Sequence, residues 1–568
     1  MHYAALATDY DGTIAHDGAV DPPTIAALER LRASGRRLVL VTGRELPDLC
    51  RVMNRLDLFD RVVAENGGLL YRPETREECP LAEPPPAALV ERLRERGVSP
   101  LSAGRVIVAT WEPHETEVLA AIHDLGLEQQ ITFNKGAVMV LPAGVTKESG
   151  LRAALAELEI APLNCAGVGD AENDLAMLEL CGAKVAVANA LASVRESADL
   201  VTAAARGAGV AELVDRLIAT DLAEIDRAAP RRQVALAQGE DGGELLRIAA
   251  HRETMLLAGA SGGGKTTVTV GLLERAAAAG LQFCVVDPEG DYDGMEQAVV
   301  EGTETQSPVV ARVAELLRKT GANVTVSLLG VKLADRPAFL AELLPELLRL
   351  RARTGRPDFI AIDEAHHLFP QDADPAGTVL PTGLEGVLFI TVRPQSVASR
   401  VLDLVGRIIA VGGEPGAALA TFCRAAGLPE PQIAGALETG LLLTLSRDDP
   451  RPRRLRVIPG AALHRRHVRK YAEGTLSEDR SFYFRGADGR LNLRATNLAM
   501  FLALGDGVDA ATWAFHRKRR DYSRWIGTAI KDADLAREID AVEQDGSETD
   551  TARRAVRAAI ERRYTLPA

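Results

Sequence analysis

Cysteine is scarce in this sequence and is never paired at short spacing. The 568 residues include six cysteines, and no two of them form a C-x-x-C pair. This pattern excludes a disulfide framework and a cysteine-rich zinc site, and it predicts reduced thiols. The cysteines are Cys50, Cys79, Cys165, Cys181, Cys284 and Cys423.

Long apolar runs and a leader segment are also missing from the sequence. No apolar stretch approaches the length of a membrane span, and residues 1–8 do not show a basic segment followed by an apolar one. Together with the reduced thiols, these absences lead us to expect a cytoplasmic protein that has no membrane partner.

Aromatic residues make up only 4% of the chain, and the formal net charge is −13. An acidic chain is not expected to coat nucleic acid generally, although a local basic lining is still allowed. The apolar content of 47% and the charged content of 26% are ordinary for a globular protein, so the chain can bury a core. Its length predicts several domains.

A glycine-rich loop near the middle of the chain has the complete pattern G-x-x-x-x-G-K-T. It follows an apolar run and precedes a predicted helix over 268–273. Glycines allow backbone N–H groups to turn toward a polyphosphate, which the start of a helix also favours. Lys265 would reach the β- and γ-phosphates of ATP, and Thr266 would bind Mg²⁺. The predicted ATP-binding residues are Gly259, Ser261, Gly262, Gly263, Gly264, Lys265, Thr266 and Thr267.

Two later strand ends add to this predicted nucleotide site. The stretch from 293 to about 350 is polar and is predicted to be helical. The apolar run 359–362 then leads into Asp363 and Glu364. Asp363 can organise the Mg²⁺ shell through Thr266, and Glu364 can polarise the water that attacks the γ-phosphate. A glutamate at this position favours ATP hydrolysis over transfer to a small acceptor. Gln395 follows another predicted strand. It senses the γ-phosphate, orients water or is an ordinary loop residue.

Two carboxylates follow the first predicted strand, over residues 4–7. They are Asp9 and Asp11 in the segment D-x-D-G-T, where Gly12 releases the chain from the strand. Such a pair can face one pocket, in which one carboxylate attacks a phosphorus atom and the other protonates the leaving oxygen. Taken alone, the same segment could be a plain loop or a set of calcium ligands.

Further polar groups in the first part of the chain occur where predicted strands end or helices begin. Thr42 follows the apolar run 38–41, Lys147 precedes a predicted helix, and Asp170 and Asp174 follow another strand. In an open α/β sheet the carboxyl ends of the strands meet at one crevice. These dispersed side chains can therefore share one site.

Together these motifs resemble the haloacid dehalogenase superfamily of phosphatases, in its Cof-like subfamily, over residues 1–218. The resemblance implies that Asp9 is the nucleophile that forms an aspartyl-phosphate, and that Asp11 is the general acid and then the base. It also implies that Thr42 and Lys147 hold the phosphoryl oxygens, while Mg²⁺ neutralises their charge. The implied Mg²⁺ ligands and their support are Asp9, the backbone carbonyl of Asp11, Asp170 and Asp174.

An insertion at about residues 82–142 has the size of an α/β module and the position of a Cof-type cap. In the family such caps select the substrate and exclude water, often over phosphorylated sugars. The alternative for each candidate contact is an ordinary surface or packing role. The candidate cap contacts are Trp111, His114, Asn134 and Lys135.

Residues 234–460 resemble the HerA/FtsK-like ATPases, a branch of the RecA-like motors. Besides the glycine-rich loop, the likeness is carried by the segments 287–292 and 391–395. It implies a homo-oligomeric ring, commonly a hexamer, with ATP between subunits and an arginine supplied by the neighbouring subunit. The candidate arginines are Arg400, Arg407, Arg447 and Arg454.

The last region, residues 461–568, is predicted to be mainly helical. Its most basic run, 464–471, either meets phosphate groups or forms a solvated helix face. Aromatic residues concentrate over 513–525, where they either stack on bases or build a small helical core.

The sequence thus predicts an α/β protein with a Rossmann-like haloacid dehalogenase core and an α/β cap, followed by a RecA-like P-loop domain and a mainly helical C-terminal region. The predicted boundaries are 1–218 for the hydrolase, 219–233 for a linker, 234–460 for the ATPase and 461–568 for the last region.

Several functions are open at this point. The first is a bifunctional enzyme, in which a Mg²⁺-dependent phosphatase is joined to an oligomeric ATPase. Its phosphatase substrate is a phosphorylated metabolite, such as a sugar phosphate, or a nucleic-acid terminus. The second is a nucleic-acid motor or assembly scaffold with the hydrolase as an accessory effector. A third, a phosphatase paired with a kinase, is disfavoured by Glu364.

Overall fold

The structure of the chain is a computed structural model that describes residues 1–564, apart from a set of short gaps. Contacts between Cα atoms divide the chain into two compact units. One holds residues 1–260, 272–293 and 297–458, and the other holds 261–271, 294–296 and 459–568. Among the described residues, no helix combines the length and apolar character needed to cross a bilayer. The gaps are 135, 230–232, 261–262, 320, 372–379, 382, 414, 432, 434–436, 461–475, 477, 479, 487–488, 490 and 531.

The first 229 residues contain a mainly parallel sheet and a smaller antiparallel one. The strands are β1 Ala5–Asp9, β2 Arg37–Val41, β3 Arg61–Ala64, β4 Leu69–Arg72, β5 Glu77–Pro80, β6 Ser102–Ala103, β7 Val108–Trp111, β8 Gln129–Asn134, β9 Ala137–Pro142, β10 Cys165–Gly169, β11 Ala183–Ala186 and β12 Leu200–Val201. The helices are α1 Pro22–Ala33, α2 Leu46–Val52, α3 Ala87–Glu95, α4 Glu115–Asp124, α5 Lys147–Glu157, α6 Leu175–Leu180, α7 Ala192–Ser197, α8 Arg206–Thr220 and α9 Ala223–Ala228.

The first sheet has the order β12-β11-β10-β1-β2-β3-β4-β5. It is parallel from β12 to β3 and antiparallel from β3 to β5. Every residue of β1 and β10 is buried, as expected for near-continuous runs of small and apolar residues at the centre of a parallel sheet. The central strands therefore hold their carboxyl ends at a common edge.

The predicted cap forms a separate antiparallel sheet with the order β6-β7-β9-β8. One face carries a buried cluster with α3 and α4, which includes Leu89, Val118 and Val138. The other face carries a smaller cluster that includes Ile107, Met139 and Leu141. Alternation along β9 sends neighbouring side chains to opposite faces, so the cap has an inner and an outer surface.

A second large sheet is built by residues 234–457. Its strands are β13 Val234–Gln238, β14 Leu245–Ile248, β15 Thr254–Gly259, β16 Phe283–Asp287, β17 Ala298–Glu301, β18 Asn323–Ser327, β19 Phe359–Ile362, β20 Val387–Thr391, β21 Arg407–Val411, β22 Leu441–Ser446 and β23 Arg453–Val457. The helices are α10 Lys265–Ala278, α11 Val310–Arg318, α12 Arg336–Thr354, α13 Ala365–Leu368, α14 Ser399–Leu404 and α15 Pro415–Ala426.

The order of this sheet is β14-β13-β23-β22-β21-β15-β20-β19-β16-β18-β17. It is parallel from β21 to β17, and β13, β14, β22 and β23 extend it as antiparallel strands. Strand β20 lies between β15, which leads into the glycine-rich loop, and β19, which leads into Asp363.

Two segments differ from the sequence prediction. The stretch from 293 to 350, predicted to be helical and polar, contains β17 and β18 as well as helices. Strand β18 is fully buried although Thr325 and Ser327 are polar. Because these residues interrupt the apolar run, the sequence pattern does not predict a strand there. The predicted linker 219–233 contains α9, and Leu222 and Ile225 pack into the core of the first sheet.

The region after residue 476 contains a β-hairpin and helices. The elements are β24 Phe482–Phe484, β25 Leu493–Ala495, α16 Leu498–Gly507, α17 Ala510–Lys518, α18 Asp521–Trp525, α19 Ala533–Gln544 and α20 Thr549–Tyr564. Its aromatic residues form a buried cluster, which matches the core alternative for them rather than base stacking. The cluster includes Phe482, Phe484, Phe501, Trp513, Tyr522 and Trp525. The basic run 464–471 lies outside the described residues.

Candidate active sites

The first candidate site lies where β10, β1 and β2 end side by side. Asp9 is the last residue of β1, Asp170 comes directly after β10, and Thr42 comes directly after β2. The register pairs Thr8 with Val168 and Asp9 with Val41, so the three strands end at one level. This is the crevice in which open α/β sheets bind ligands.

Lys147 joins the site as the first residue of α5. Thr146 and Ser149 form a capping box, which fixes the start of this helix. Gly67 has φ +109 and lies so close that a Cβ there would stand 1.9 Å from the carbonyl oxygen of Thr146. Only glycine fits this approach, which lets the helix start reach the strand ends.

The ammonium group of Lys147 bridges two carboxylates. Its Nζ lies 2.6 Å from Oδ1 of Asp9 and 2.6 Å from Oδ1 of Asp174. The other oxygen of Asp174 accepts the N–H groups of Asp170 and Ala171, each at 3.0 Å. Asp174 thereby orients both the lysine and the loop that carries Asp170.

Asp9, Asp170 and Asp174 form a buried group whose carboxylate oxygens all lie within 4.8 Å of one another. Burial and the charge of Asp174 raise the pKa of Asp9 to about 7, against the attraction of Lys147. Burial alone would lower the pKa of Lys147, but Asp174 and Asp9 raise it above its ordinary value, so the lysine stays charged. This cluster of oxygen ligands fits a hard divalent cation such as Mg²⁺.

Asp11 is held by Arg44, a partner for which the sequence predicted no role. Arg44 Nε lies 2.7 Å from Oδ2 of Asp11, and Nη2 lies 2.7 Å from Oδ1. The Thr42 hydroxyl accepts the N–H of Arg44 at 3.1 Å. The segment after β2 therefore connects Thr42 with Asp11 through a single arginine.

Glu65 joins this crevice to the cap. Its buried carboxylate accepts three successive backbone N–H groups, from Arg105 at 2.9 Å, Val106 at 2.7 Å and Ile107 at 3.1 Å. On the inner face of the cap, Met139 lies over the segment after β2, with its sulfur 3.6 Å from where a Cβ of Gly43 would stand. The inner face therefore looks toward the strand ends.

The structure places the predicted cap contacts in different surroundings. Trp111 and Asn134 both pair with Ala137, two residues before Met139, so strand alternation puts them on the inner face. Trp111 is 53% exposed there. The His114 ring contacts the carbonyl of Ser99 at 3.1 Å, a loop contact that matches its packing alternative. Lys135 lies outside the described residues.

Comparison with known proteins identifies this part of the chain. A family model for haloacid dehalogenase-like hydrolases matches residues 6–102 and 101–214. The phosphoglycolate phosphatase of Natronomonas pharaonis is 35% identical over 225 residues, which cover 38% of this chain and 97% of that protein. The chain belongs to the haloacid dehalogenase-like hydrolases.

Other relatives of this hydrolase match the same part of the chain. The phosphoglycolate phosphatase of Haloarcula marismortui is 36% identical over 224 residues, or 37% of this chain and 95% of that protein. A solved structure of a haloacid dehalogenase-like hydrolase from Bacteroides thetaiotaomicron matches at 20% identity with a TM-score of 0.34. It covers 38% of this chain and 99% of that chain.

The segments of this hydrolase that are predicted to bind nucleotide adjoin strands that belong to the second sheet. β15 ends at Gly259, α10 begins at Lys265, and Gly264 has φ +96, which glycine adopts readily. Lys265 is buried, and Gly263, Thr266 and Thr267 are partly exposed. A Cβ on Gly259 would stand 2.3 Å from the carbonyl oxygen of Val411, so glycine allows β15 and β21 to meet there. Ser261 and Gly262 lie outside the described residues.

Asp363 and Glu364 follow β19, as predicted. Burial and the charge of Glu364 raise the pKa of Asp363 to about 8. Burial likewise raises the pKa of Asp287, at the end of the neighbouring β16, to about 6. Glu364 lies 3.2 Å from Nδ1 of His366, which in turn lies 3.2 Å from the hydroxyl of Thr391 at the end of β20. His366, for which the sequence predicted no role, thus connects Glu364 with Thr391 at the end of β20.

The remaining predicted residues differ in their surroundings. Gln395 is exposed in a short turn over Pro394–Ser396. Arg407 is held by Glu253 at 2.6 Å, and Arg447 donates to the carbonyl of Val405 at 2.7 Å. Such contacts within the chain weaken the case for these arginines as groups supplied to a neighbouring subunit. Arg454 pairs with Glu240 at 3.2 Å, and Arg400 is exposed in α14.

Proposed function

We propose that the first part of the chain is a Mg²⁺-dependent phosphomonoesterase that works through an aspartyl-phosphate on Asp9. The observation that carries this proposal is the bridging position of Lys147, 2.6 Å from both Asp9 and Asp174. A lysine beside a nucleophilic carboxylate offsets the repulsion between that carboxylate and an anionic phosphate. The match to phosphatases over nearly their whole length supports the same conclusion.

The metal-binding residues in this proposal are Asp9 and Asp170, with the backbone carbonyl of Asp11 and with Asp174 behind them. When bound, Mg²⁺ supplies positive charge at the phosphoryl oxygens and orients the substrate. The raised pKa of Asp9 supports this assignment, because a buried group of carboxylates needs a cation to ionise fully.

The chain's own residues then account for the reaction. A carboxylate oxygen of Asp9 attacks phosphorus while Thr42 and Lys147 hold the phosphoryl oxygens. The bond from phosphorus to the leaving oxygen breaks, and Asp11 donates a proton to that oxygen. Asp11 then takes a proton from the water that cleaves the aspartyl-phosphate. Arg44, paired with both oxygens of Asp11, positions this acid.

We propose a small phosphorylated metabolite as the substrate. The inner face of the cap carries Met139 over the segment after β2, and a cap that covers the strand ends favours a small leaving group over a polymer. Because its relatives are named phosphoglycolate phosphatases, phosphoglycolate is the first compound to test, followed by sugar phosphates.

A screen of the full chain would test this substrate class. It compares phosphoglycolate, sugar phosphates, nucleotides and oligonucleotides phosphorylated at the 3′ or 5′ end, with Mg²⁺ and with or without ATP. We expect a small metabolite to give the highest kcat/KM. Preference for an oligonucleotide end would instead favour nucleic-acid end processing.

We propose that residues 234–460 form a RecA-like, HerA-like ATPase that works as a homo-oligomeric ring. In this proposal the loop 259–267 binds ATP, Asp363 and Thr266 bind Mg²⁺, and Glu364 activates water. Support comes from the parallel strands on both sides of β15 and from the buried Asp363 at the end of β19. Gln395 is proposed as a γ-phosphate contact.

ATP turnover measured with and without DNA or RNA would test this second proposal. We expect Mg²⁺-dependent release of phosphate that requires Lys265. A strong, salt-dependent stimulation by DNA would favour the nucleic-acid motor, with the hydrolase as its accessory. Transfer of the γ-phosphate to a metabolite would favour a kinase instead.

A further inference from the structure

A buried group of two histidines and one aspartate lies away from both candidate sites. His2, Asp226 and His251 each offer one ligand atom, and these atoms lie within 4.8 Å of one another. His2 and His251 are each 4% exposed, and Asp226 is fully buried. The three residues come from the start of the chain, from α9 and from the turn before β15, so folding brings them together.

The contact between His251 and Asp226 has the spacing of two ligands on a small transition-metal ion. His251 Nε2 lies 3.2 Å from Oδ2 of Asp226. The rings of His2 and His251 have centroids 4.4 Å apart and are tilted by 34°. Zn²⁺ bound at roughly 2.0–2.1 Å to nitrogen and oxygen in a tetrahedron places its ligand atoms roughly 3.3 Å apart. The spacing of His251 and Asp226 is therefore close to what coordination requires, and the His2 ligand atom lies within 4.8 Å of both.

A second layer of contacts orients these ligands. His2 Nδ1 lies 3.2 Å from Oδ1 of Asp358, so a carboxylate lies behind this ring. Tyr3 donates its hydroxyl to Oδ1 of Asp226 at 2.7 Å. A carboxylate behind a histidine and a donor behind a ligating carboxylate are the outer contacts that metal sites use.

The neighbouring Arg252 neutralises only part of the charge of Asp226, because it also pairs with other carboxylates. Its Nε lies 2.7 Å from Oδ2 of Asp226, but its Nη1 also lies 3.0 Å from Asp221 and 3.1 Å from Glu385. Because these other carboxylates share the guanidinium, Asp226 can accept from Arg252 on one lone pair and bind a cation on another. His2, His251 and Arg252 also line a cavity of about 180 Å³, in which water can complete the coordination.

We propose that His2, His251 and Asp226 bind one Zn²⁺ ion, with water as a further ligand. Two imidazoles and one carboxylate suit Zn²⁺ better than Mg²⁺, which prefers oxygen ligands alone. His2 lies three residues before β1, which ends in Asp9, and His251 lies three residues before β15, which leads to the glycine-rich loop. The ion thus joins the starts of the two strands that carry the candidate sites.

The test measures metal bound to the full chain, purified without metal-affinity chromatography and dialysed after addition of Zn²⁺. We expect about one equivalent of zinc per chain, lost in His251→Ala. Asp170→Asn, which alters the Mg²⁺ group of the first site, should retain the zinc, and so should His123→Ala, which changes an exposed histidine of α4. 1,10-Phenanthroline, which removes transition metals but not Mg²⁺, should lower the thermal midpoint of the unaltered protein and leave that of His251→Ala unchanged.

A second measurement does not depend on a variant that folds. Co²⁺ added to the unaltered chain should give visible absorption bands from nitrogen ligands, which one equivalent of Zn²⁺ abolishes. Zinc retention below about a tenth of an equivalent, together with absent Co²⁺ bands, would overturn the proposal and leave an ion-pair network without metal. Retention of full zinc by His251→Ala, or its loss in Asp170→Asn, would equally overturn it.

Discussion

Arg44 donates hydrogen bonds of 2.7 Å to both carboxylate oxygens of Asp11, and this pair connects the segment after β2 with the proposed general acid. Two parallel hydrogen bonds fix the plane of a carboxylate as well as its position. Only an arginine can make this contact, because a lysine offers a single charged centre. The orientation of Asp11 therefore depends on Arg44.

Arg44→Met should lower kcat for an alkyl phosphate by about tenfold to a hundredfold, since a misplaced acid protonates the leaving oxygen poorly. The loss with p-nitrophenyl phosphate should be smaller, because p-nitrophenolate leaves without a proton. Steady-state kinetics on both substrates would check this. Arg30→Met, which breaks an exposed pair with Asp215, is the control. An equal loss on both substrates would show that Arg44 acts on the phosphate instead.

The two half-exposed aromatic residues of the cap offer a matched comparison. Trp111 is 53% exposed on the inner face, whereas Phe133 is 52% exposed and pairs with Val138, whose side chain belongs to the outer face. Trp111→Ala should raise KM for the preferred substrate by about tenfold, as expected for one lost apolar contact. Phe133→Ala should leave KM unchanged. If both variants behave alike, the assignment of the inner face is wrong.

Mg²⁺ binding to the first site should strengthen as the pH rises from 6 to 8. Without metal the pKa of Asp9 is raised to about 7, and Mg²⁺ binds the ionised carboxylate. Below that pKa a proton must leave first, so affinity should rise about tenfold per pH unit and level off above it. Isothermal titration calorimetry in buffers of different ionisation enthalpy would also detect the released proton. An affinity that does not change over this range would contradict the raised pKa.

Much of the first site could be predicted from the sequence because its residues directly follow apolar strands. Asp9, Thr42 and Asp170 lie where the runs predicted, and the parallel order brings them together. The pairing of Arg44 with Asp11 could not be predicted, since it depends on side-chain geometry after β2. The contact of Glu65 with the cap could not be predicted either, because its partners are backbone N–H groups 40 residues or more away in sequence.

The group around His2 and His251 could not be predicted from the sequence for a different reason. Its members are single residues far apart in sequence, without the short spacing that signals a metal site. Asp226 lay in a segment predicted to be a linker, and it became a buried ligand candidate only because α9 packs against the first sheet. Because residues 219–233 were predicted to be a linker, no buried polar residue was expected in the segment that connects the two sheets.

Two separate centres in this chain are each proposed to act on phosphate. The most direct test measures phosphate release from p-nitrophenyl phosphate and from ATP in the same preparations of Asp9→Asn, Lys265→Ala and Glu364→Gln. We predict that Asp9→Asn loses the first activity and keeps the second, and that Lys265→Ala and Glu364→Gln do the reverse. Full hydrolysis of p-nitrophenyl phosphate by Asp9→Asn, or unchanged ATP turnover by Lys265→Ala, would contradict it.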